Sequence, residues 1–412
     1  MDSLLAYKNA LPDIDLFCPT FQQDPYSLYA RLREEQPVYW SEQIQAWIVT
    51  RHEDVLAALH DQRISANRIV PRMQQLSPAL RKRFQPLENI LSMWPLMLER
   101  PTHTRLRALI NKAMTPTIVK SFLPAIQRQV DVLLDAAFDH AGVDAITELA
   151  RPFPLNVVCE IIGAPHAGRD LLKQCAVDIV NFFGCPPHLY VERADAAMRS
   201  VITTMEFLRE TVRQRRRAPE NDLITALIEA QERNAVMSED EVLATCLMMV
   251  FAGFETTTNL IGNGLLLLLQ YPEEQQKLRE NPLLMRSAIS EMLRFESPVQ
   301  RLSRMAIEDF KFKEANIRRG DLIFLMVASA NRDERVFGAA DRFDIARDTK
   351  GHLAFGHSIH LCPGNTLAQL EAKVFFTELI RRAPRIHLNT DMPEWQINLS
   401  VRSLEQLPIS FS

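Results

Sequence analysis

The chain has 412 residues, 47% hydrophobic and 24% charged, enough to bury a large core and incompatible with a disordered protein. Lysine plus arginine number 47 against 51 for aspartate plus glutamate, a net charge of −4 with none of the basic excess of a nucleic-acid binder. Twelve glycines in 412 residues fall well below the usual share of about 7%, which favours helix; no linker is visible, so residues 1–412 are expected to form one domain.

The N-terminus, Met1-Asp2-Ser3-Leu4 onward, has no basic segment followed by an apolar one, so no secretory signal is expected. Pro12, Pro19 and Pro25 make the start irregular. An amphipathic helix over Tyr26–Glu35 and two strand-like runs, 37–40 and 46–50, follow, the runs pairing as a hairpin. From 62 to 96 the periodicity weakens and Pro71, Pro78, Pro86 and Pro95 recur, which predicts a long, partly mobile loop. Helical patterns dominate 101–295, broken at 152–154 and 184–187. Strand signals return at 309–312, 322–328 and 386–388, with a final pair at 396–401 and 407–411. Cysteines 18, 159, 175, 185, 246 and 362 lack the spacing of a disulfide scaffold, which suits reduced thiols in the cytoplasm.

The apolar tract 242–269 nearly has the length of a membrane span, but Glu255, Thr256, Thr257, Thr258, Asn259 and Asn263 interrupt it, so it reads as a buried helix and no span is expected. Ser238 and Glu241 form a capping box at its start, with Met237 and Val242 as the apolar staple, and Pro272 closes it. Such a helix, about 50 Å long at 1.5 Å per residue, would cross the molecule.

Three constellations could carry chemistry. Ala252-Gly253-Phe254-Glu255-Thr256-Thr257 places a glycine, an acid and hydroxyls in an apolar helix, where the glycine alone costs about 1 kcal/mol relative to alanine. Gly253 would admit a flat ligand, Glu255 would relay protons and Thr256 would hydrogen-bond a small polar species; alternatively Glu255 meets a buried cation and the threonines bond back to the preceding turn. The second is Phe355-Gly356-His357-Ser358-Ile359-His360-Leu361-Cys362-Pro363-Gly364. With Pro363 at the first position of a helix, Cys362 would sit at a helix start, where a thiolate is favoured. His352, His357, His360 and Cys362 also suggest zinc, without the usual paired hooks. The third, Glu291 and Arg294, is an i, i+3 pair of a kind that most often lies on a solvated helix face.

Taken together and in this order, these segments resemble the cytochrome P450 family, most closely its soluble bacterial members, over essentially the whole chain. Phe355, Gly356, His360, Cys362 and Gly364 match the family's haem-binding loop, and 252–257 match its oxygen-activation helix. The resemblance implies a mainly α fold with small β-sheets, haem b held between the long central helix and the Cys362 loop, and Cys362 as iron ligand. It implies His103, Arg107, Arg304 and His352 as partners of the haem propionates, Ala252 and Gly253 against the haem, and a structural charge cluster of Glu291, Arg294 and Arg342. Ser358 departs from the family's second glycine, at a position where a positive φ strains serine.

A thiolate ligand favours O–O cleavage, so the implied activity is monooxygenation of a hydrophobic small molecule, with Glu255 and Thr256 delivering protons. Electrons would come from a separate ferredoxin or flavodoxin with its reductase, drawn to Arg100, Arg105, Arg107 and Lys112, a stretch with no acid. Substrate contacts are expected from apolar residues of the variable regions: Ile69, Val70, Trp94, Phe182, Phe183, Met249, Val299 and Leu302. Arg68 and Arg72 would meet either an acidic or carrier-bound substrate or solvent. A peroxide-driven peroxygenase and a haem or ligand-binding protein without turnover are the alternatives, and the Glu255–Thr256 pair argues against both.

Overall fold

The computed structural model describes residues 14–234 and 237–412; the N-terminal readings on Met1 to Leu4 and on Pro12 lie outside the described residues. The fold is mainly α with small sheets, as expected. Tyr26–Glu35 is helical, and Val38–Ser41 pairs antiparallel with Ala46–Val49 as the anticipated hairpin. The hairpin joins a five-stranded sheet in the order Val38–Ser41, Ala46–Val49, Leu322–Leu325, Leu302–Ala306, Ile64–Ser65.

Residues 62–96 are mostly helical, not a loop. Ile69–Gln74 and Pro78–Leu91 are α-helices, and Pro95–Met97 is a single 3₁₀ turn. The prolines mislead because Pro78 and Pro95 start elements and Pro71 lies in the first turn of one. Ser77 caps the second helix by accepting from the Leu80 N–H, and Pro78 occupies the first position, whose N–H needs no partner. Pro86 does lie inside that helix, where burial of Phe84, Leu87 and Leu91 offsets the lost hydrogen bond.

Two strand assignments also change. Gly142–Asp144, within the region expected to be helical, is a strand that pairs with Pro408–Phe411, which pairs in turn with Ile386–Leu388. The expected strand 396–401 forms only the bridges Val299–Val401 and Trp395–Leu404 at its margins. At 322–328 the strand stops at Leu325 and the chain turns into the short helix Val327–Ala330.

The central helix, Glu239–Gln270, begins with the anticipated capping box: Ser238 Oγ accepts from the Glu241 N–H at 3.1 Å, and Glu241 Oε2 from the Ser238 N–H at 2.8 Å. It packs against Pro152–Ile162, Arg169–Gly184, Tyr190–Arg217, Met285–Phe295 and Asn365–Arg382. That explains an apolar composition long enough to cross a membrane: most of the tract is buried inside the protein. All six cysteines are free.

Candidate active site

The Cys362 loop is shaped by its own backbone. Gly356 and Ser358 both take the left-handed conformation, with φ of 70° and 60°, so serine adopts the strained geometry that its departure from glycine implied. Hydrogen bonds from Gly356 N to Leu353 O (2.8 Å), Leu361 N to Ser358 O (3.2 Å) and Cys362 N to Phe355 O (2.9 Å) close it. The following helix starts at Asn365 with Gly364 as its N-cap, so Pro363 lies outside it and Cys362 stands before the helix, not at its first turn. The thiol is nonetheless tuned: burial pushes its pKa up, while the Gly364 N–H and the Arg107 guanidinium pull it down.

Basic groups gather beside this loop. The His103 and His360 rings lie 4.5 Å apart, each with its Nε2 buried and unpartnered. Arg107 donates to the Leu361 carbonyl and, at 3.0 Å, to Asn111. Arg304 is buried and donates to the Ser303 carbonyl at 2.9 Å. Burial, then Arg304, His103, Arg68 and Arg107 in turn, press the His360 pKa down to about 3. Burial and then Arg294 press that of His352 to about 4, and its ring stands 6.0 Å from Phe355. Neutral imidazoles and stripped guanidiniums are donors awaiting acceptors, and two carboxylates on a flat ring would supply them.

The central helix answers this arrangement. Between Val242 and Leu268 the helix is otherwise enclosed, but Ala252 is exposed, and Phe251, Gly253 and Thr256 are half-buried. One turn is therefore bared; the missing side chain of Gly253 faces Val158 of Pro152–Ile162, which a Cβ would approach within 3.3 Å, so that glycine serves helix packing. A bared face, two unpartnered imidazole nitrogens and a thiol beside the Gly364 N–H and the Arg107 guanidinium together fit an iron porphyrin. Zinc is not favoured, because among the described residues no three His, Cys, Asp or Glu side chains converge on one point.

Within the bared turn Thr256 Oγ1 donates to the Ala252 carbonyl at 2.7 Å, one of the two arrangements anticipated, leaving its lone pairs open. Glu255 is 5% exposed with Oε1 unpartnered; burial raises its pKa to about 7, against the opposing pull of Arg151 and Lys173.

The charge cluster is real but partly different. Arg294 donates to Glu291 from Nε at 2.7 Å and from Nη2 at 2.8 Å, both side chains fully buried. The third charged member is Arg347, whose Nε donates to Glu291 at 3.1 Å; Arg342 contributes only its backbone carbonyl. Arg347 sits in a short turn where the Asp344 N–H also reaches Glu291, a placement with no periodic signal in the sequence.

Of the expected substrate residues, Trp94, Phe182, Ile69 and Met249 are buried, whereas Val70, Phe183, Val299 and Leu302 are half-buried. Phe251, not singled out from the sequence, links them: its ring lies 5.0 Å from Trp94 and 5.7 Å from Phe183. Leu302 approaches the Cys362 loop at Gly356. In the basic stretch, Arg105 is engaged by Glu241 of the central helix at 3.1 Å, which leaves Arg100 and Lys112 as its exposed members.

The cytochrome P450 family model matches residues 20–392. Cytochrome P450 107B1 of Saccharopolyspora erythraea is 38% identical over 97% of this chain and 98% of its own. The biotin biosynthesis cytochrome P450 of Bacillus subtilis is 35% identical, over 95% and 97% respectively. Among solved structures, P450BioI in complex with hexadec-9Z-enoic acid ligated acyl carrier protein superposes with a TM-score of 0.88 at 33% identity, covering 96% of this chain and 99% of that one.

Proposed function

The chain belongs to the cytochrome P450 family, a monooxygenase that uses haem b, and we propose that it inserts one oxygen atom of O2 into a C–H or C=C bond of a hydrophobic secondary metabolite. The observation that carries this reading is the pairing of the Cys362 loop with the bared Ala252–Thr256 turn. When bound, the haem supplies the oxidising chemistry, and a thiolate ligand biases it toward O–O cleavage. Cys362 is the residue that would hold the iron; His103, Arg107, Arg304 and His352 would hold the propionates, with Phe355, Gly356, His360 and Gly364 shaping the loop. Ala252, exposed on the bared turn, leaves room for a flat ring against the helix, while Gly253 lets Val158 pack close behind it.

Glu255 and Thr256 move protons in this reading. A carboxyl that titrates near 7 both gives and takes a proton at neutral pH, and the Thr256 oxygen, its hydrogen committed to Ala252, presents lone pairs to a polar species beside it. Thr256→Ala is expected to retain haem while product formation per NAD(P)H falls at least about tenfold and hydrogen peroxide rises; unchanged coupling would contradict the role.

Glu255 has a second, thermodynamic signature. Below its ordinary pKa of 4.5 the carboxyl is neutral both folded and unfolded; as pH rises through about 7 the folded state resists ionisation and loses up to about 3 kcal/mol relative to the unfolded chain. Glu255→Gln should therefore match wild type in thermal stability near pH 4.5 and exceed it at pH 8, while turnover drops. Superimposable stability profiles would contradict the buried acid.

A cytoplasmic location and a separate ferredoxin or flavodoxin with its reductase complete the reading. Substrate-dependent NAD(P)H consumption upon adding such a pair tests it, because a peroxygenase would instead turn over with hydrogen peroxide alone.

A further inference from the structure

An aromatic wall leads away from the bared turn. Phe251, Phe183, Phe182 and Tyr190 succeed one another at centroid separations of 5.7, 5.5 and 5.2 Å. Two guanidiniums overlie it: Arg68 lies 5.8 Å from the Phe183 ring and Arg72 lies 5.9 Å from that of Tyr190.

Arg68 is expected from its loop position to be solvated, but the structure places it among charges of its own sign. Burial, then Arg304, then Arg301 press its pKa down to about 9. Its hydrogen bond goes to the Ala66 carbonyl at 3.3 Å. Arg301 is deeper, 8% exposed, with Nε unpartnered, Nη2 donating to the Phe183 carbonyl at 2.8 Å and the guanidinium 3.7 Å over Phe324. Among the described residues neither Arg68 nor Arg301 forms an ion pair. Arg304 is different, since Glu99 acts on it favourably.

A guanidinium does not surrender its proton near neutral pH, so the unfavourable energy of grouping these cations is relieved only by an anion. Arg107, Arg304, His103 and His352 suffice for two propionates. The charge of Arg68 and Arg301 exceeds that need, and it stands where the aromatic wall would hold an apolar chain.

We propose that the substrate is an amphiphile whose carboxylate binds Arg68, with Arg301 adding positive potential from behind Phe183, and whose apolar chain lies along Phe183 and Phe251 toward the bared turn. The proposal rests on the haem-enzyme reading and narrows its substrate class. It implies that oxidation falls on chain carbons remote from the carboxylate.

Optical titration of the haem-loaded protein with myristic acid and with methyl myristate tests it, because the two share a chain and differ in charge. Wild type should bind the acid at least about tenfold more tightly than the ester. Arg68→Ala, and Arg68→Gln as a second variant of better-conserved volume, should erase that preference while ester binding and the family's carbon monoxide band persist. Equal affinities in wild type, no response to either probe, or a preference that survives both variants would overturn the proposal. Haem loss confined to the variants would overturn it as well, assigning Arg68 to a propionate. A wild type lacking the carbon monoxide band would instead bring down the haem reading, and the proposal with it.

Discussion

Cys362→Ala is expected to remove the carbon monoxide band of the reduced protein and to bring monooxygenase activity to background. At Cys362 the surroundings oppose the effect of burial, the Gly364 N–H and the Arg107 guanidinium both favouring the thiolate. Cys159 and Cys246 are buried in the core, where burial outweighs Arg169 at the first and a backbone hydrogen bond at the second and pushes their pKa values to about 11 and about 12. Alanine leaves the loop closed, because its hydrogen bonds are made by backbone groups at Gly356, Leu361 and Cys362. The variant should therefore fold with the stability of wild type apoprotein, and the loss should be chemical. Retention of the band, measured as a reduced difference spectrum on the folded variant, would refute the assignment.

Glu291→Ala should be the most damaging substitution outside the haem site, costing about 3–5 kcal/mol, a large part of the roughly 5–15 kcal/mol that holds a domain together. The carboxylate accepts from Arg294 Nε and Nη2, from Arg347 Nε and from the Asp344 N–H, so its removal strands one fully buried guanidinium and part of another. The damage travels. Arg294 also donates to the Asn331 carbonyl at 2.8 Å, the Asn331 side chain accepts from the Leu353 N–H at 2.6 Å, and the Leu353 carbonyl takes the Gly356 N–H that starts the cysteine loop. Thermal unfolding and haem content should thus fall together. Wild-type stability in Glu291→Ala would mean the cluster is as dispensable as a surface pair.

The legible parts of the molecule were those with a local cause. The central helix announced itself through Ser238 and Glu241, whose side chains and N–H groups are three residues apart, and the strand at Ile386–Leu388 through its alternation of apolar and polar residues. The strain at Ser358 followed from one residue type replacing another at a backbone position that needs a positive φ. The failures share a different cause. Pro78 and Pro95 break a helix or begin one depending on the residue before them, and the strand Gly142–Asp144 exists because Pro408–Phe411, over 260 residues away, pairs with it. Arg347 rather than Arg342 completes the buried cluster, Arg105 turns to Glu241, and Arg68 is pressed among other arginines; each outcome depends on tertiary neighbours that spacing does not encode.

X-ray absorption at the iron edge of the haem-loaded wild-type protein, with Cys362→Ala as control, tests the central claim most directly. A single sulfur scatterer bound to iron in wild type and missing in the variant is the expected result. An iron coordinated by nitrogen and oxygen alone, or a sulfur signal that survives the substitution, would contradict it.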